Sequence, residues 1–257
     1  MTPREKLERL AGRLPAGCAW LGLPSDHIAE IAGRAGARVA VIDCEHGAIG
    51  VESMTAMLRA LALTRTGALV RVPELAEGPI KHALDAGADG ILVPYVESVE
   101  EARRAVRAAL LPPEGARGLA GIVRAAGYGA EAAAYERDWN ARALVALQIE
   151  SRRGLSAAID IAAVPGVDML FLGPFDYCRD AGLDPAADGD LLQAVLAETV
   201  AAAHAHGKLA GVFPWPGAEP RALAAAGADL VALAHDTATL MAGLRAALGA
   251  LDSDGRG

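Results

Sequence analysis

Short apolar runs without polar alternation recur along the chain, separated by longer alanine-rich amphipathic stretches. Such runs are typical of parallel strands buried on both faces and connected by helices. Eight strands are predicted, at about 17–22, 39–44, 68–72, 90–95, 144–150, 169–174, 209–214 and 230–235. Eight strand–helix units in 257 residues predict a (β/α)₈ TIM barrel.

A weak internal repeat supports this prediction. Four segments share a glycine, then a charged residue and an apolar run, at 36–42, 87–93, 166–172 and 227–233. Each is typical of a glycine that ends a helix and leads directly into a strand. The stretch 112–143 is predicted to be one long irregular insertion. Because no composition shift marks a second domain, we expect one barrel domain over 1–257, with an N-terminal helix at about 3–14 and a frayed tail at about 252–257.

Composition and charge narrow the function classes. The apolar fraction of 53% excludes disorder, and three cysteines are too few for a disulfide scaffold. A net charge of −8 argues against nucleic acid and anionic membrane as partners. The first residues contain no signal-peptide core, and no later run is long and apolar enough to cross a membrane. We therefore expect a soluble, cytoplasmic protein with reduced thiols.

Polar residues cluster where predicted strands end, which is where a (β/α)₈ barrel carries its chemistry. They follow or end the second, third, fifth and sixth strands of an otherwise apolar pattern. These residues are Asp43, Glu45, His46, Arg71, Gln148, Glu150 and Asp176. Taken singly, a carboxylate after a strand is more often a helix N-cap than a metal ligand.

Glu150 and Asp176 leave neighbouring predicted strands, so their carboxylates can converge on one hard divalent ion. Mg²⁺ and Mn²⁺ are commonly held by one or two carboxylates, together with water and substrate oxygens. No HExxH motif or paired CxxC is present, which argues against a closed zinc site.

His46 is the natural general base, because an imidazole titrates near neutral pH. Asp43, three residues earlier, is placed to orient the His46 ring, although a purely structural Asp–His pair is equally compatible with the sequence. Arg71 is suited to stabilise the negative charge of an enolate oxygen. The alternative for Arg71 is an ion pair with Glu74 or Glu97.

The other nucleophiles are not placed for catalysis. Cys44 adjoins the cluster but is expected to pack rather than react. Lys6 precedes the barrel, Lys81 lies in a predicted helix and Lys208 precedes its strand, so none is positioned for a Schiff base at the active face. Carbanion chemistry at this site would therefore require a metal.

Six segments, in order, resemble the HpcH/HpaI aldolase family of metal-dependent pyruvate aldolases. They are DCEHG, RVPE, DAGADGILVPYVESVEEAR, PPEGARG with RAAGYG, LQIESRRGL and GVDMLFLGPFD. The resemblance extends over about 17–248. It implies a barrel that forms a pyruvate enolate and adds it to an aldehyde, or cleaves the product.

The resemblance also implies roles for individual residues. Glu150 and Asp176 would bind Mg²⁺ or Mn²⁺, with Co²⁺ as a third candidate, and the 2-oxo acid would chelate that ion. His46, oriented by Asp43, would be the acid/base group, and Arg71 would stabilise the enolate. Gln148 would line the site, while backbone N–H groups around 173–176, including Gly173 beside Pro174, would bind the substrate carboxylate. Family members tend to form trimers of dimers, with C-terminal helices packed on a neighbouring subunit, which predicts a homo-oligomer.

The chain departs from the family pattern after two strands. GPFDYC stands where GPxDLS is usual, so Tyr177 and Cys178 replace a small polar pair. Phe213 and Trp215 follow the seventh strand and predict bulky rings at the rim. We therefore expect an acceptor aldehyde larger or more apolar than dicarboxylic semialdehydes.

Three alternatives stay open on the sequence alone. The same site could begin with decarboxylation of oxaloacetate. An acyl-coenzyme A lyase is a further reading, although no basic patch for the nucleotide phosphates is evident. A non-catalytic oxo-acid binder is the third, and the acid/base residues argue against it.

Overall fold

Eight parallel strands pair in chain order and close into a barrel in the computed structural model, which describes residues 1–250. The predicted (β/α)₈ fold is confirmed. The strands are β1 Ala16–Leu21, β2 Val39–Asp43, β3 Gly67–Arg71, β4 Gly90–Val93, β5 Leu144–Ile149, β6 Met169–Leu172, β7 Leu209–Val212 and β8 Leu230–His235.

Helices connect the strands and surround the barrel. They are α1 Pro3–Ala11, α2 Asp26–Arg34, α3 Val51–Leu63, α4 Glu77–Asp85, α5 Val99–Ala109, α6 Ala132–Arg142, α7 Arg152–Ser156, α8 Ala158–Ala162, α9 Pro174–Ala181, α10 Gly189–Ala205, α11 Pro220–Ala225 and α12 Asp236–Gly249. The insertion at 112–143 is not wholly irregular, because it contains a 3₁₀ helix, Arg124–Gly129, and α6. The predicted tail at 252–257 lies outside the described residues.

Each strand sends alternate side chains to two separate cores. In β2, Val39 and Val41 face the barrel interior, whereas Ala40 and Ile42 pack under the surrounding helices. Both faces are therefore apolar, which explains why the runs in the sequence show no polar alternation. Helix α1 closes the amino-terminal end of the barrel with Leu7 and Leu10.

The charged residue of the repeated segments has a structural role in three of the four repeats. Asp89, Asp168 and Asp229 each precede a strand and accept a hydrogen bond, at 2.9–3.0 Å, from a backbone N–H near the start of the preceding strand. Asp168 also accepts two bonds of 2.9 Å from Lys6 Nζ of α1. These carboxylates hold the amino-terminal end of the barrel together. The polar residues singled out in the sequence lie at the other end, where the strands terminate.

Helix α12 differs from the other long helices because none of its residues is buried. Its side chains Leu240, Met241, Leu244 and Leu248 are 46–74% exposed. The carboxyl-terminal half of β8 is also uncovered, since Leu233 is 56% exposed, whereas Leu230 to Ala232 are buried. Among residues 1–250, no helix has the length and hydropathy needed to span a membrane.

Candidate active site

Asp43 and Arg71 form a buried ion pair at the carboxyl end of the barrel. They are register partners on β2 and β3, so both side chains point into the barrel mouth. Arg71 donates from Nε to Asp43 Oδ1 at 2.9 Å and from Nη2 to Oδ2 at 2.6 Å, and the Trp20 indole donates to Oδ2 at 3.1 Å. Burial alone would raise the pKa of Asp43, but the hydrogen bonds and charge of Arg71 outweigh it and lower the pKa below its ordinary value.

The loop that carries His46 is fixed by the same carboxylate. Asp43 Oδ1 accepts hydrogen bonds of 3.1 Å from the backbone N–H groups of Glu45 and His46. The His46 side chain is 64% exposed, and its Nε2 lies 4.0 Å from Glu45 Oε2. Asp43 thus holds the backbone of His46, while its side-chain partners are Arg71 and Trp20. The two residues come together as expected, by a different contact from the one the sequence suggested.

Glu45 is a component of the site to which the sequence analysis gave no role. Its Oε2 lies 2.8 Å from Arg71 Nη1, so Arg71 contacts two carboxylates. The alternative pairing of Arg71 with Glu74 or Glu97 is wrong, because the partners are Asp43 and Glu45. The sequence could have indicated a role for Glu45, because it lies between Asp43 and His46 in the same motif.

Glu150 is buried, with 2% of its surface exposed, and both of its carboxylate oxygens are held. Gln148 Nε2 donates to Oε1, and the backbone N–H of Tyr95 donates to Oε2 at 3.1 Å. Tyr95 adopts a left-handed conformation with φ of 55°, which is strained for a residue with a side chain. Burial, followed by the negative charge of Glu45, raises the pKa of Glu150 to about 8, although Arg71 acts in the opposite direction.

Gly173 makes room for Glu150. A Cβ at Gly173 would lie 2.2 Å from Glu150 Oε1 and 2.8 Å from Cδ. Pro174 then begins α9, and Asp176 stands half-buried in its first turn. Burial is the main cause of the raised pKa values of Glu45 and Glu150, and the charge of Asp176 adds to it, so the three carboxylates share one electrostatic environment.

An unsatisfied acceptor completes this side of the mouth. Gln148 Oε1 is buried and has no hydrogen-bond partner among the described residues. Since a buried carbonyl oxygen without a partner costs roughly 1–3 kcal/mol, such an atom points to a missing donor or ion. Gln148 and Glu150 are in direct contact, and Asp176 lies near enough for its charge to act on Glu150.

Aromatic rings form the opposite side of the mouth. Trp20 contacts Phe171 and Phe213 at centroid distances of 5.7 and 5.2 Å, and Phe213 contacts the exposed ring of Phe175 at 6.0 Å. Trp215 does not belong to this wall. It is buried in the outer core, so the expectation that Trp215 lies at the rim is wrong.

The cysteine and lysine expectations agree with the structure. Burial raises the pKa of the Cys44 thiol to about 12, so the thiolate needed of a nucleophile is disfavoured. Lys6 is buried against Asp168, and Lys208 Nζ donates to Val167 O at 2.8 Å, both at the amino-terminal end. Lys81 lies on the outer helix α4.

The donor chemistry of this cluster fits a hard divalent cation. Its ligating atoms are carboxylate oxygens, its charge is negative apart from Arg71, and Gln148 supplies one more free oxygen. Among residues 1–250 no group of three or more His, Cys, Asp and Glu side chains is preassembled with metal-ligand geometry. An ion held by Glu150 and Asp176 would keep coordination positions for substrate and water.

Comparison with known proteins finds a family model that matches most of the chain. The model of the HpcH/HpaI aldolase/citrate lyase family matches residues 17–242. A hydroxypyruvate/pyruvate aldolase of Paraburkholderia phytofirmans is 41% identical over 236 residues, covering 89% of this chain and 90% of that protein. A 4-hydroxy-2-oxovalerate aldolase of Novosphingobium aromaticivorans is 40% identical over 195 residues, covering 76% of this chain and 74% of that protein.

A solved structure shows the same architecture over nearly the whole chain. An HpcH/HpaI aldolase/citrate lyase family protein from Burkholderia cenocepacia J2315 superposes with a TM-score of 0.89 at 35% identity. The match covers 98% of this chain and 100% of that one.

Proposed function

The chain belongs to the HpcH/HpaI aldolase/citrate lyase family, and we propose that it is a metal-dependent aldolase acting on a pyruvate-type 2-oxo acid and an aldehyde. It is a carbon–carbon lyase, as its aldolase relatives are. The observation that carries the proposal is the buried, doubly held Glu150 beside two further carboxylates and the fixed positive charge of Arg71.

We assign the cation to Glu150 and Asp176, with Mg²⁺ or Mn²⁺ as the expected ion and Co²⁺ as the third candidate. Such an ion would supply positive charge that polarises the substrate's keto oxygen. The residues that fix Glu150 are Gln148 and Tyr95, and Gly173 leaves the space that its carboxylate occupies. Hydrogen bonds made to a ligating carboxylate orient it toward the metal.

The remaining residues supply the proton transfer and the charge stabilisation. His46 takes a proton from C3 of the 2-oxo acid, and the C–H electron pair moves into the enolate. The enolate carbon then forms a bond to the aldehyde carbon, whose oxygen takes up a proton; cleavage is the reverse. Arg71 donates two of its five N–H groups to Asp43 and forms an ion pair with Glu45 through Nη1, so its other N–H groups are available to the enolate oxygen.

The substrate carboxylate is assigned to the start of α9. Backbone N–H groups of the first turn of a helix have no partner within the helix and favour an anion. Gly173 and Pro174 form the entry to this helix, and no side chain caps it. Phe213 is assigned to the acceptor side, where its ring faces Phe175.

We further propose a homo-oligomer in which α12 of one copy covers the barrel of another. A groove of about 610 Å³ lies between α2, the strands β1 and β8, and α12. Its lining is largely apolar and includes Ile28, Ile31 and Leu233. Helix α12 is apolar, has no buried residue and lies beside this apolar groove. When two copies exchange helices, α12 of each copy can therefore cover the groove of the other. A trimer or hexamer is the expected assembly by family resemblance.

Proton exchange tests the enolate chemistry without knowledge of the aldehyde. The protein is incubated with pyruvate and Mn²⁺ or Mg²⁺ in D₂O, and loss of the methyl proton signal is followed by NMR after removal of the ion. We expect exchange that disappears with a chelator and in Glu150→Gln and Asp176→Asn, whereas the exposed Glu136→Gln on α6 behaves as wild type.

The same preparations separate the alternatives. Absence of exchange together with metal-dependent consumption of oxaloacetate would replace the aldolase with a decarboxylase. Full exchange in a chelator-treated sample of either carboxylate variant would end the assignment of the metal ligands.

A further inference from the structure

A second imidazole faces the barrel mouth, at the end of β8. His235 is the register partner of Trp20, and its ring lies 6.2 Å from that of Phe213. Regular alternation from Ala232, which faces the interior, would turn His235 outward. A register shift opposite Cys18 and Ala19 inserts Leu233 as an extra residue, and this bulge turns His235 inward.

The two ring nitrogens of His235 have different surroundings. Nδ1 lies 2.7 Å from the Thr237 hydroxyl and 3.4 Å from Asp236 Oδ1. Nε2 has no hydrogen-bond partner among residues 1–250, and the side chain is 31% exposed. A Cβ at Gly22 would lie 3.9 Å from Nε2. Because residue 22 is a glycine, no side chain at this position covers the Nε2 edge of the imidazole ring. Nε2 is therefore the nitrogen available to a ligand.

The surroundings of Nε2 define the ligand chemistry. The adjoining rings of Trp20, Phe213 and Phe175 offer apolar surface, and His235 adds a hydrogen-bonding nitrogen to them. An anionic group would be disfavoured, since Asp236 stands beside the imidazole and the opposite side of the mouth is acidic. A neutral hydroxyl next to a short carbon chain fits both constraints.

We propose that His235 is a specificity-determining residue, whose Nε2 hydrogen-bonds a hydroxyl group of the acceptor aldehyde while the aromatic wall contacts its carbon chain. The inference rests on the proposed aldol function, because it assigns the second substrate of that reaction. A site built to hydrogen-bond a hydroxyl group discriminates against an analogue that lacks it.

The test compares kcat/KM for glycolaldehyde and D-glyceraldehyde with that for acetaldehyde and propionaldehyde, with pyruvate as donor. His235→Phe keeps a ring against Phe213 but removes the nitrogen, and His235→Gln restores a donor near Nε2. We expect the preference for hydroxylated acceptors to fall about 10-fold in His235→Phe, the value of one neutral hydrogen bond, and to recover in part in His235→Gln. The preference is a ratio within one preparation, so it is independent of the fraction of active protein.

The matched control is His206→Phe, the same change at an exposed histidine at the end of α10. An unchanged preference in His235→Phe would overturn the proposal. A selective loss of activity with succinic semialdehyde would also overturn it, because it would mean that the imidazole binds the anionic group of the acceptor. If wild-type protein shows neither methyl exchange nor aldol product, the proposed function itself fails. If His235→Phe is inactive with every acceptor, His235→Ala takes its place: a lowered preference in His235→Ala that His235→Gln restores in part supports the proposal, and an unchanged preference in His235→Ala overturns it.

Discussion

Gly173→Ala is the sharpest perturbation that the site allows, because it adds one methyl group beside Glu150. The Cβ would lie 2.2 Å from Glu150 Oε1, whereas ordinary contacts begin at 3.4 Å. Gly173 has a φ of −99°, which alanine adopts without strain, so the effect is steric and not conformational. The carboxylate must therefore move by about 1 Å, away from the positions set by Gln148 and Tyr95.

The size of the effect follows from that displacement. Overpacking of a filled site costs about 1–3 kcal/mol of stability, so the protein should still fold. A displacement of about 1 Å in a reacting arrangement costs on the order of 10²-fold in rate. We expect pyruvate methyl exchange to fall about 100-fold and Mn²⁺ binding to weaken about 10–100-fold, since outer contacts that orient a metal ligand have effects of this size.

The assays are NMR exchange in D₂O and titration with Mn²⁺ followed by electron paramagnetic resonance, which reports free ion without turnover. Gly78→Ala is the control, because it adds the same atom on α4 where nothing lies within 4 Å. Normal Mn²⁺ affinity and normal exchange in Gly173→Ala would refute the placement of Glu150 as a metal ligand held against this glycine.

Four further predictions concern the base, the ion pair, the thiols and the assembly. His46→Ala should lower methyl exchange by about 10²–10⁴-fold at unchanged melting temperature, measured by NMR and calorimetry. Asp43→Asn leaves Arg71 with one carboxylate and should cost about 3 kcal/mol of unfolding free energy in denaturant titrations; an unaltered midpoint would contradict the buried pair. The Cys18 thiol has its pKa raised by burial to about 12, against 9.0 for an ordinary thiol, so between those pH values the unfolded chain loses the proton first and stability falls as pH rises; Cys18→Ala should flatten this slope in denaturation midpoints. Met241→Glu with Leu244→Glu should convert the oligomer to a smaller species in light scattering, and a wild-type monomer would exclude helix exchange.

Much of the barrel could be predicted from the sequence because its signals are local. A strand buried on both faces is a continuous apolar run, and a glycine that ends a helix marks the turn into the next strand. The second helix of the insertion was missed because the apolar anchors of α6, Tyr135 and Trp139, are few and its remaining face is polar. The repeated aspartates were recognised as a pattern, but their bonds to the preceding strand depend on the register between strands.

The sequence predicted which residues belong to the site better than it predicted the contacts between them. Parallel strands bring their carboxyl ends to one face, so the polar residues after β2, β3, β5 and β6 had to meet. Which of them pair depends on cross-strand register, and Asp43 lies opposite Arg71 rather than beside the His46 ring. The strained backbone of Tyr95 could not be predicted from the neighbouring sequence, because its N–H donates a hydrogen bond to Glu150, which is distant in the chain.

His235 shows most clearly where periodicity stops being a guide. Counting by twos from Ala232 predicts that His235 points outward, beside the exposed Leu233. One inserted residue reverses that assignment for every position after it, because side chains alternate with a period of two. Leu233 faces outward with or without the bulge, and it lines the groove assigned to a second copy. A single irregularity in β8 thus places an imidazole at the mouth directly after an apolar side chain of the outer face, so the substrate side and the assembly side of this barrel meet within three residues of one strand.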